Sequence, residues 1–188
     1  MKKIKNYFRN VLAAGVLAHV CLWAKGYKAG IENEAFKDVL QYVPEITELM
    51  KSKNIYVPLD LALKEEGKRK EIIVADFPKN ERSYDIGEKT IAYYKEKIKK
   101  AKAIFIKGTS GVCEEKEFCY GTRELLNAVT RSKAFSVVGG GHITTAMDKL
   151  KINKNKFGYI SLSGGALFAY ICGEKLPGLE ALEIRRMK

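Results

Sequence analysis

The chain has few of the residues that staple or anchor a fold by themselves. Its 188 residues include four cysteines and two histidines. Cys21, Cys113, Cys119 and Cys172 form no C-x-x-C pair, and only His19 and His142 could add imidazole, which argues against a zinc site. So sparse a set in a chain of this length reads as reduced thiols of a cytoplasmic protein. There is no internal repeat, no low-complexity segment and no long linker, and this predicts a single domain over residues 1–188. Long hydrophobic runs are also lacking. The best candidate, residues 11–24, follows Lys2, Lys3, Lys5 and Arg9 as the core of a signal peptide would. His19 interrupts it, no small-x-small cleavage site precedes Lys25, and it is shorter than the roughly 20 residues that span a bilayer. The better reading is a strand over residues 7–14 that turns at Gly15 into a helix through Trp23.

Charge of one sign is in short supply. Lysine and arginine number 34 against 22 acidic residues, a net charge of +12 that admits nucleic acid, a membrane surface or anionic small molecules as partners. The cations scatter, with one dense run over residues 95–102 inside a helical pattern. Aromatic residues are not interleaved with them as in a single-strand binder. The charge therefore reads as a solvated lysine face, with neither nucleic acid nor membrane as partner.

Apolar residues are sufficient for a proper core, and their spacing gives the elements. Helical spacing runs over residues 32–51, where Pro44 should kink or divide the helix. Residues 54–60 read as a strand. Residues 59–63 lead into a charged turn, 64–70, and residues 71–75 look like the return arm of a hairpin. A loop at 84–87 precedes a helix over 88–100. Residues 103–107 form a buried strand ending in Gly108, Thr109, Ser110 and Gly111. A helix beginning near Phe118 or Gly121 runs to about Thr130. A strand over 134–138 enters Gly139, Gly140 and Gly141, and a helix follows through Met147 and Leu150. The last strand, 157–162, enters Ser163, Gly164 and Gly165, with a helix to Cys172, and residues 173–178 close the pattern.

Alternating strands and helices imply parallel βαβ units, hence an α/β fold: a Rossmann-like three-layer α/β/α arrangement with a mostly parallel sheet. Ligands of such sheets bind outside the carboxyl ends of the strands. The triple glycine is neither G-x-G-x-x-G nor a P-loop. Taken locally, it is equally a tight strand-to-helix turn and a phosphate cradle, where leading helix N–H groups face an anion and no Cβ blocks its approach. Three glycine turns along one sheet edge favour a phosphate-rich ligand.

At these residues the chain resembles the C-terminal, nucleotide-binding domain of phosphoglycerate kinase. Gly139-Gly140-Gly141-His142 resembles the family's triple-glycine phosphate loop. Histidine, where many members carry aspartate, looks like the archaeal branch. Ser161-Leu162-Ser163-Gly164-Gly165-Ala166 is similar to Ser-Thr-Gly-Gly-Gly-Ala, and Gly108-Thr109-Ser110-Gly111-Val112-Cys113-Glu114 to Gly-Pro-Met-Gly-Val-Phe-Glu. Tyr84-Asp85-Ile86-Gly87, Val57-Pro58-Leu59-Asp60 and the segment 173–182 match flanking landmarks. Order and spacing agree over about residues 11–182.

The resemblance implies phosphoryl transfer between 1,3-bisphosphoglycerate and ADP, with ATP/ADP and Mg²⁺ as cofactors. It implies Glu114 on the nucleotide ribose. Gly139, Gly140, Gly141, His142 and Ile143 would hold the nucleotide phosphates, with Gly108, Gly111 and Lys107 lining the site. Gly164 and Gly165 would offer N–H groups to the transferred phosphate. It further implies that 3-phosphoglycerate is held by a separate N-terminal domain, for which these residues leave no room. The match begins after the family's first strand with its Gly-Gly-Ala-Lys-type segment. Lys107 stands where the family has a short amide, and Leu162 and Ser163 replace threonine and glycine. These departures motivate a second reading, a catalytically inactive nucleotide-binding or protein-interaction module derived from the same domain.

Overall fold

The computed structural model describes residues 8–32 and 34–186. The chain opens with the short strand β1 (Val11–Leu12) and helix α1 (Gly15–Ala24). Tyr7, the first residue of the expected strand, lies outside the described residues. Six consecutive residues of α1, Ala18 to Trp23, are buried, so this helix is hydrophobic all round and sits inside the core. Gly26, at φ 88°, ends it as the glycine position suggested, with its N–H donated to Trp23 O.

The helix expected over 32–51, with Pro44 to kink or divide it, is indeed divided. Helix α2 (Glu34–Lys37) and a 3₁₀ turn (Leu40–Tyr42) precede helix α3 (Val43–Met50). Pro44 lies in the first turn of α3, where its missing N–H costs nothing. The expected strand over 54–60 is cut to β2 (Ile55–Tyr56), parallel to β1. Pro58 has no ladder donor, and regular pairing resumes at β3 (Asp60–Glu65). β3 forms the hairpin with β4 (Lys68–Ile73), whose return arm starts earlier than expected. Glu66 and Gly67 both take positive φ, 50° and 78°, which closes a two-residue turn. The expected loop at 84–87 contributes a strand, β5 (Asp85–Ile86), on the other side of β3.

Helix α4 (Glu88–Lys99) and strand β6 (Ala103–Lys107) follow the sequence reading closely. Helix α5 (Tyr120–Arg131), strand β7 (Phe135–Gly139), helix α6 (Gly141–Lys149), strand β8 (Tyr159–Ser161) and helix α7 (Gly164–Ile171) complete the alternation. Helix α8 (Pro177–Arg186) was not foreseen beyond the closing segment; Pro177 supplies a preset φ for its first turn. The parallel β6-β7-β8 sheet is the frame of the glycine turns. The β1–β2 ladder is a separate parallel pair, and the β4-β3-β5 sheet is antiparallel.

One apolar cluster surrounds α1 and holds Leu22, Trp23, Phe36, Ile46 and Leu61. A second, with Leu126, Val138, Ile143 and Met147, lies around β7. Tyr94 of α4 is wholly buried in a third cluster with Ile86 and Ile91; its hydroxyl donates to Ala13 O at 2.7 Å and lies 3.0 Å from Tyr56 O. The lysine run is less free than expected. Lys95 pairs with Glu124, and Lys97 sits 4.2 Å from the Tyr56 ring centroid. Among the described residues no helix is long and apolar enough to cross a membrane.

Candidate functional site

Three consecutive parallel strands bring three glycine turns to one edge. The register aligns Lys107, Gly139 and Ser161 across the carboxyl ends of β6, β7 and β8. Gly140 has φ 121°, a conformation closed to other residues, and donates its N–H to Ser161 O at 2.9 Å. The second and third turns touch backbone to backbone. A Cβ on Gly164 would come 2.7 Å from Gly140 Cα and 2.9 Å from Gly139 O. Gly141 and Gly165 differ: a Cβ on either would meet nothing within 4 Å, so these two glycines face open space. Gly141, His142 and Gly165 are exposed, while Ile143 is buried and anchors α6 in the core beside β7.

The first turn is held in a different way. Asp85 is buried and its carboxylate accepts from Gly121 N at 2.7 Å, Ile86 N at 2.9 Å, Ser110 Oγ at 2.9 Å and Arg69 at 3.0 Å. Burial pushes this carboxyl upward, against the pull of the Gly121 N–H, the Arg69 charge, the Ile86 N–H and the Ser110 hydroxyl. Gly111 packs so tightly here that a Cβ would fall 2.3 Å from Phe118 O and 2.6 Å from Asp85 Cγ. Thr122 Oγ1 accepts from Ser110 N, fixing the turn to the start of α5. Gly108, at φ 80°, has open space where a Cβ would stand. This Arg69–Asp85–Ser110 assembly was not singled out as functional from the sequence, where Asp85 figured only as a flanking landmark. No local motif marks it, because its members come from β4, β5 and the turn after β6.

The helix N-termini fall into two groups. At α4, Glu71 accepts from Glu88 N, and Asp60 accepts from Lys89 N and Thr90 N. At α5, Asp85 accepts from Gly121 N. Those two positive ends are already answered by carboxylates. By contrast α1, α6 and α7 have no side-chain cap and no acidic residue in the first turn. The α6 and α7 starts adjoin through the Gly140–Gly164 contact. The start of α1 meets the first turn, where a Cβ on Gly15 would lie 3.1 Å from Thr109 O. Leading N–H groups and dipole ends in this state attract an anion, each end by about 0.3–1 kcal/mol at an exposed position. The Lys107 Nζ, on an exposed residue, lies 5.0 Å from the Phe168 ring centroid on α7 and adds a cation on that side of the site.

A family model described as phosphoglycerate kinase matches residues 1–174. The chain belongs to the phosphoglycerate kinase family. A phosphoglycerate kinase of Methanothermus fervidus is 40% identical over 195 residues, covering 98% of this chain and 47% of that protein. One from Thermoplasma volcanium is 38% identical, covering 95% of this chain and 45% of that protein. The crystal structure of phosphoglycerate kinase from Pyrococcus horikoshii OT3 superposes with a TM-score of 0.89 at 34% identity, over 100% of this chain and 48% of that one. The Coxiella burnetii structure gives a TM-score of 0.80 at 30% identity, over 98% of this chain and 48% of that one. The chain thus spans about half the length of the phosphoglycerate kinases it matches.

The triple-glycine phosphate loop and the Ser161–Ala166 turn of the family resemblance, compared above by sequence, are in direct contact here. Glu114 is exposed, within a loop closed by a disulfide between Cys113 and Cys119. This corrects the expectation of four reduced thiols. The 3₁₀ turn Lys116–Cys119 folds the chain back and brings the two Cα atoms to 4.3 Å, a proximity that a spacing of six residues does not announce. Cys21 and Cys172 are free and buried. Among the described residues no group of three or more His, Cys, Asp and Glu side chains could hold a metal ion. The wall offers N–H groups, Lys107, and the side chains of His142, Ser161 and Ser163. The Thr144 hydroxyl is turned back to Gly140 O and Gly141 O. Carboxylate is absent from this donor set, so Mg²⁺ has no protein ligand on it of the kind it favours.

Proposed function

We propose that this chain is the nucleotide-binding part of a phosphoglycerate kinase, a cytoplasmic phosphotransferase of glycolysis that moves a phosphoryl group between 1,3-bisphosphoglycerate and ADP. The observation that carries the reading is the contact between two glycine turns whose helices begin without caps, beside Lys107. Phosphoryl transfer asks a protein mainly for position and charge neutralisation. Gly139, Gly140, Gly141, His142 and Ile143 hold the nucleotide phosphates, with the N–H groups that open α6 aimed at them. Gly164 and Gly165 present N–H groups to the transferred phosphate. Gly108, Gly111 and Lys107 flank the phosphates, and Glu114 accepts from ribose hydroxyls. Mg²⁺ would supply charge neutralisation on the nucleotide phosphates, with no carboxylate of the glycine wall to hold it. Residues 1–188 act as one nucleotide-binding domain, and 3-phosphoglycerate is held by a separate N-terminal domain that completes the site.

Calorimetric titration with Mg-ADP is the test. One-to-one binding is expected, with ATP-dependent phosphorylation of 3-phosphoglycerate only when an N-terminal domain of the family is supplied. No heat and no thermal shift at millimolar nucleotide would defeat the reading.

A further inference from the structure

A second basic feature lies along helix α5. A cavity of about 410 Å³ opens between the face of α5 that carries Arg123 and Arg131 and the segment that follows α6. Its lining includes none of the residues of the three glycine turns. Four of its lining residues are cations: Arg123, Arg131, Lys151 and Lys156. No carboxylate lines it. The nearest acidic residues in sequence are engaged elsewhere, Glu124 with Lys95 and Asp148 with Lys154. None of the four cations is in an ion pair among the described residues.

Helix dipoles account for only part of this charge. Arg131 belongs to the last turn of α5 and complements its negative end. Arg123 lies two turns earlier, and Lys151 and Lys156 lie beyond α6. Lys151 has φ 53°, a conformation that glycine or asparagine adopts at least cost. A cation therefore occupies a position that backbone sterics alone would give to another residue. Leu150 and Ile152 supply an apolar floor that continues into the core around β7.

We propose that this cavity binds a small molecule carrying two or more phosphate groups. Four cations with no carboxylate among them require more negative charge than one phosphate supplies. A volume of about 410 Å³ with Leu150 and Ile152 in its lining suits a compact ligand rather than a long polymer. The proposal is independent of the nucleotide reading, since no residue of the glycine turns lines the cavity.

The test is titration of the full chain with sodium tripolyphosphate at about 0.15 M ionic strength, where long-range attraction is screened. Saturable one-to-one binding is expected, undisturbed by saturating Mg-ADP. Binding should weaken about a hundredfold or more in the Arg123→Gln/Lys151→Gln variant, which removes two charge-assisted hydrogen bonds. Amide shifts in the wild-type NMR spectrum should centre on Arg123, Lys151 and Ile152, which keeps the test independent of how the variant folds. Displacement by Mg-ADP, or shifts confined to the glycine turns, would overturn the proposal. So would equal affinity in the variant, or binding of a single-stranded oligonucleotide without binding of tripolyphosphate.

Discussion

Gly165 offers a substitution in which protein stability and ligand affinity should move in opposite directions. Its position is the second residue of α7, its φ is not in the left-handed region, and a Cβ there would meet no atom within 4 Å. Gly165→Ala therefore adds a methyl group to open space. Reduced freedom of the unfolded chain should stabilise the fold by about 0.4–1 kcal/mol. For a chain of this size that raises Tm by roughly 1–4 °C. If a phosphate approaches the N–H groups at the start of α7, the same methyl displaces it. Losing one charge-assisted hydrogen bond costs about 1.5–3 kcal/mol, or roughly 10- to 150-fold in Mg-ATP affinity, since ATP carries the transferred phosphate and ADP does not. Gly164→Ala is the contrasting control. Its Cβ would fall 2.7 Å from Gly140 Cα, so overpacking should lower stability by about 1–3 kcal/mol whatever the ligand does. Differential scanning fluorimetry and calorimetric titration of both variants read the two quantities. A Gly165→Ala protein that melts higher and binds Mg-ATP like the wild type would show that no phosphate comes to this turn.

Two further outcomes follow from buried groups away from the wall. His19 is buried, stacked on Phe36 at 3.9 Å and hydrogen-bonded to Ala29 O and Ser83, and burial lowers its pKa from 6.5 to about 4. Between those values the unfolded chain takes up a proton that the native state refuses, so stability should fall by about 3 kcal/mol as pH drops from 6.5 to 4. Urea midpoints against pH, with the His19 ring followed by NMR, check this; a ring titrating near 6.5 contradicts it. Reduction of the Cys113–Cys119 bridge, which closes a loop of sequence separation 6, should cost about 2 kcal/mol. It should also weaken Mg-ADP binding by freeing the loop that carries Glu114. Cys21, buried with its thiol pushed up to about 12, should stay inert in the native state. Thiol titration in denaturant should therefore count two free thiols before reduction and four after it.

Much of the fold was legible because it rests on local pattern. The strand at Ala103–Lys107 and the helices Glu88–Lys99 and Tyr120–Arg131 follow from apolar periodicity, which burial on one face imposes directly. Boundaries failed where one residue's conformation decided them. The helix that Pro44 was expected to kink or divide is divided, but the break falls before the proline, over residues 38–42; Pro58 cuts the expected strand short, and the positive φ of Glu66 and Gly67 moves the hairpin turn. The strand Asp85–Ile86 looked like a loop because two residues cannot show a period; pairing with β3 makes it a strand.

The site divides in the same way. The sequence by itself determined the three glycine turns and their order, since each is a contiguous string following a strand, and in a parallel sheet consecutive strand ends share an edge. Only the tertiary structure decided which glycines are there for packing and which face open space. Gly111 and Gly164 have no room for a Cβ because groups distant in sequence lie against them, whereas Gly141 and Gly165 have room on every side. It also decided which helix ends are answered by Asp60, Glu71 and Asp85 and which are not, that Cys113 meets Cys119, and that four scattered cations line one cavity. Each of these depends on contact between segments whose spacing along the chain carries no record of their distance in space.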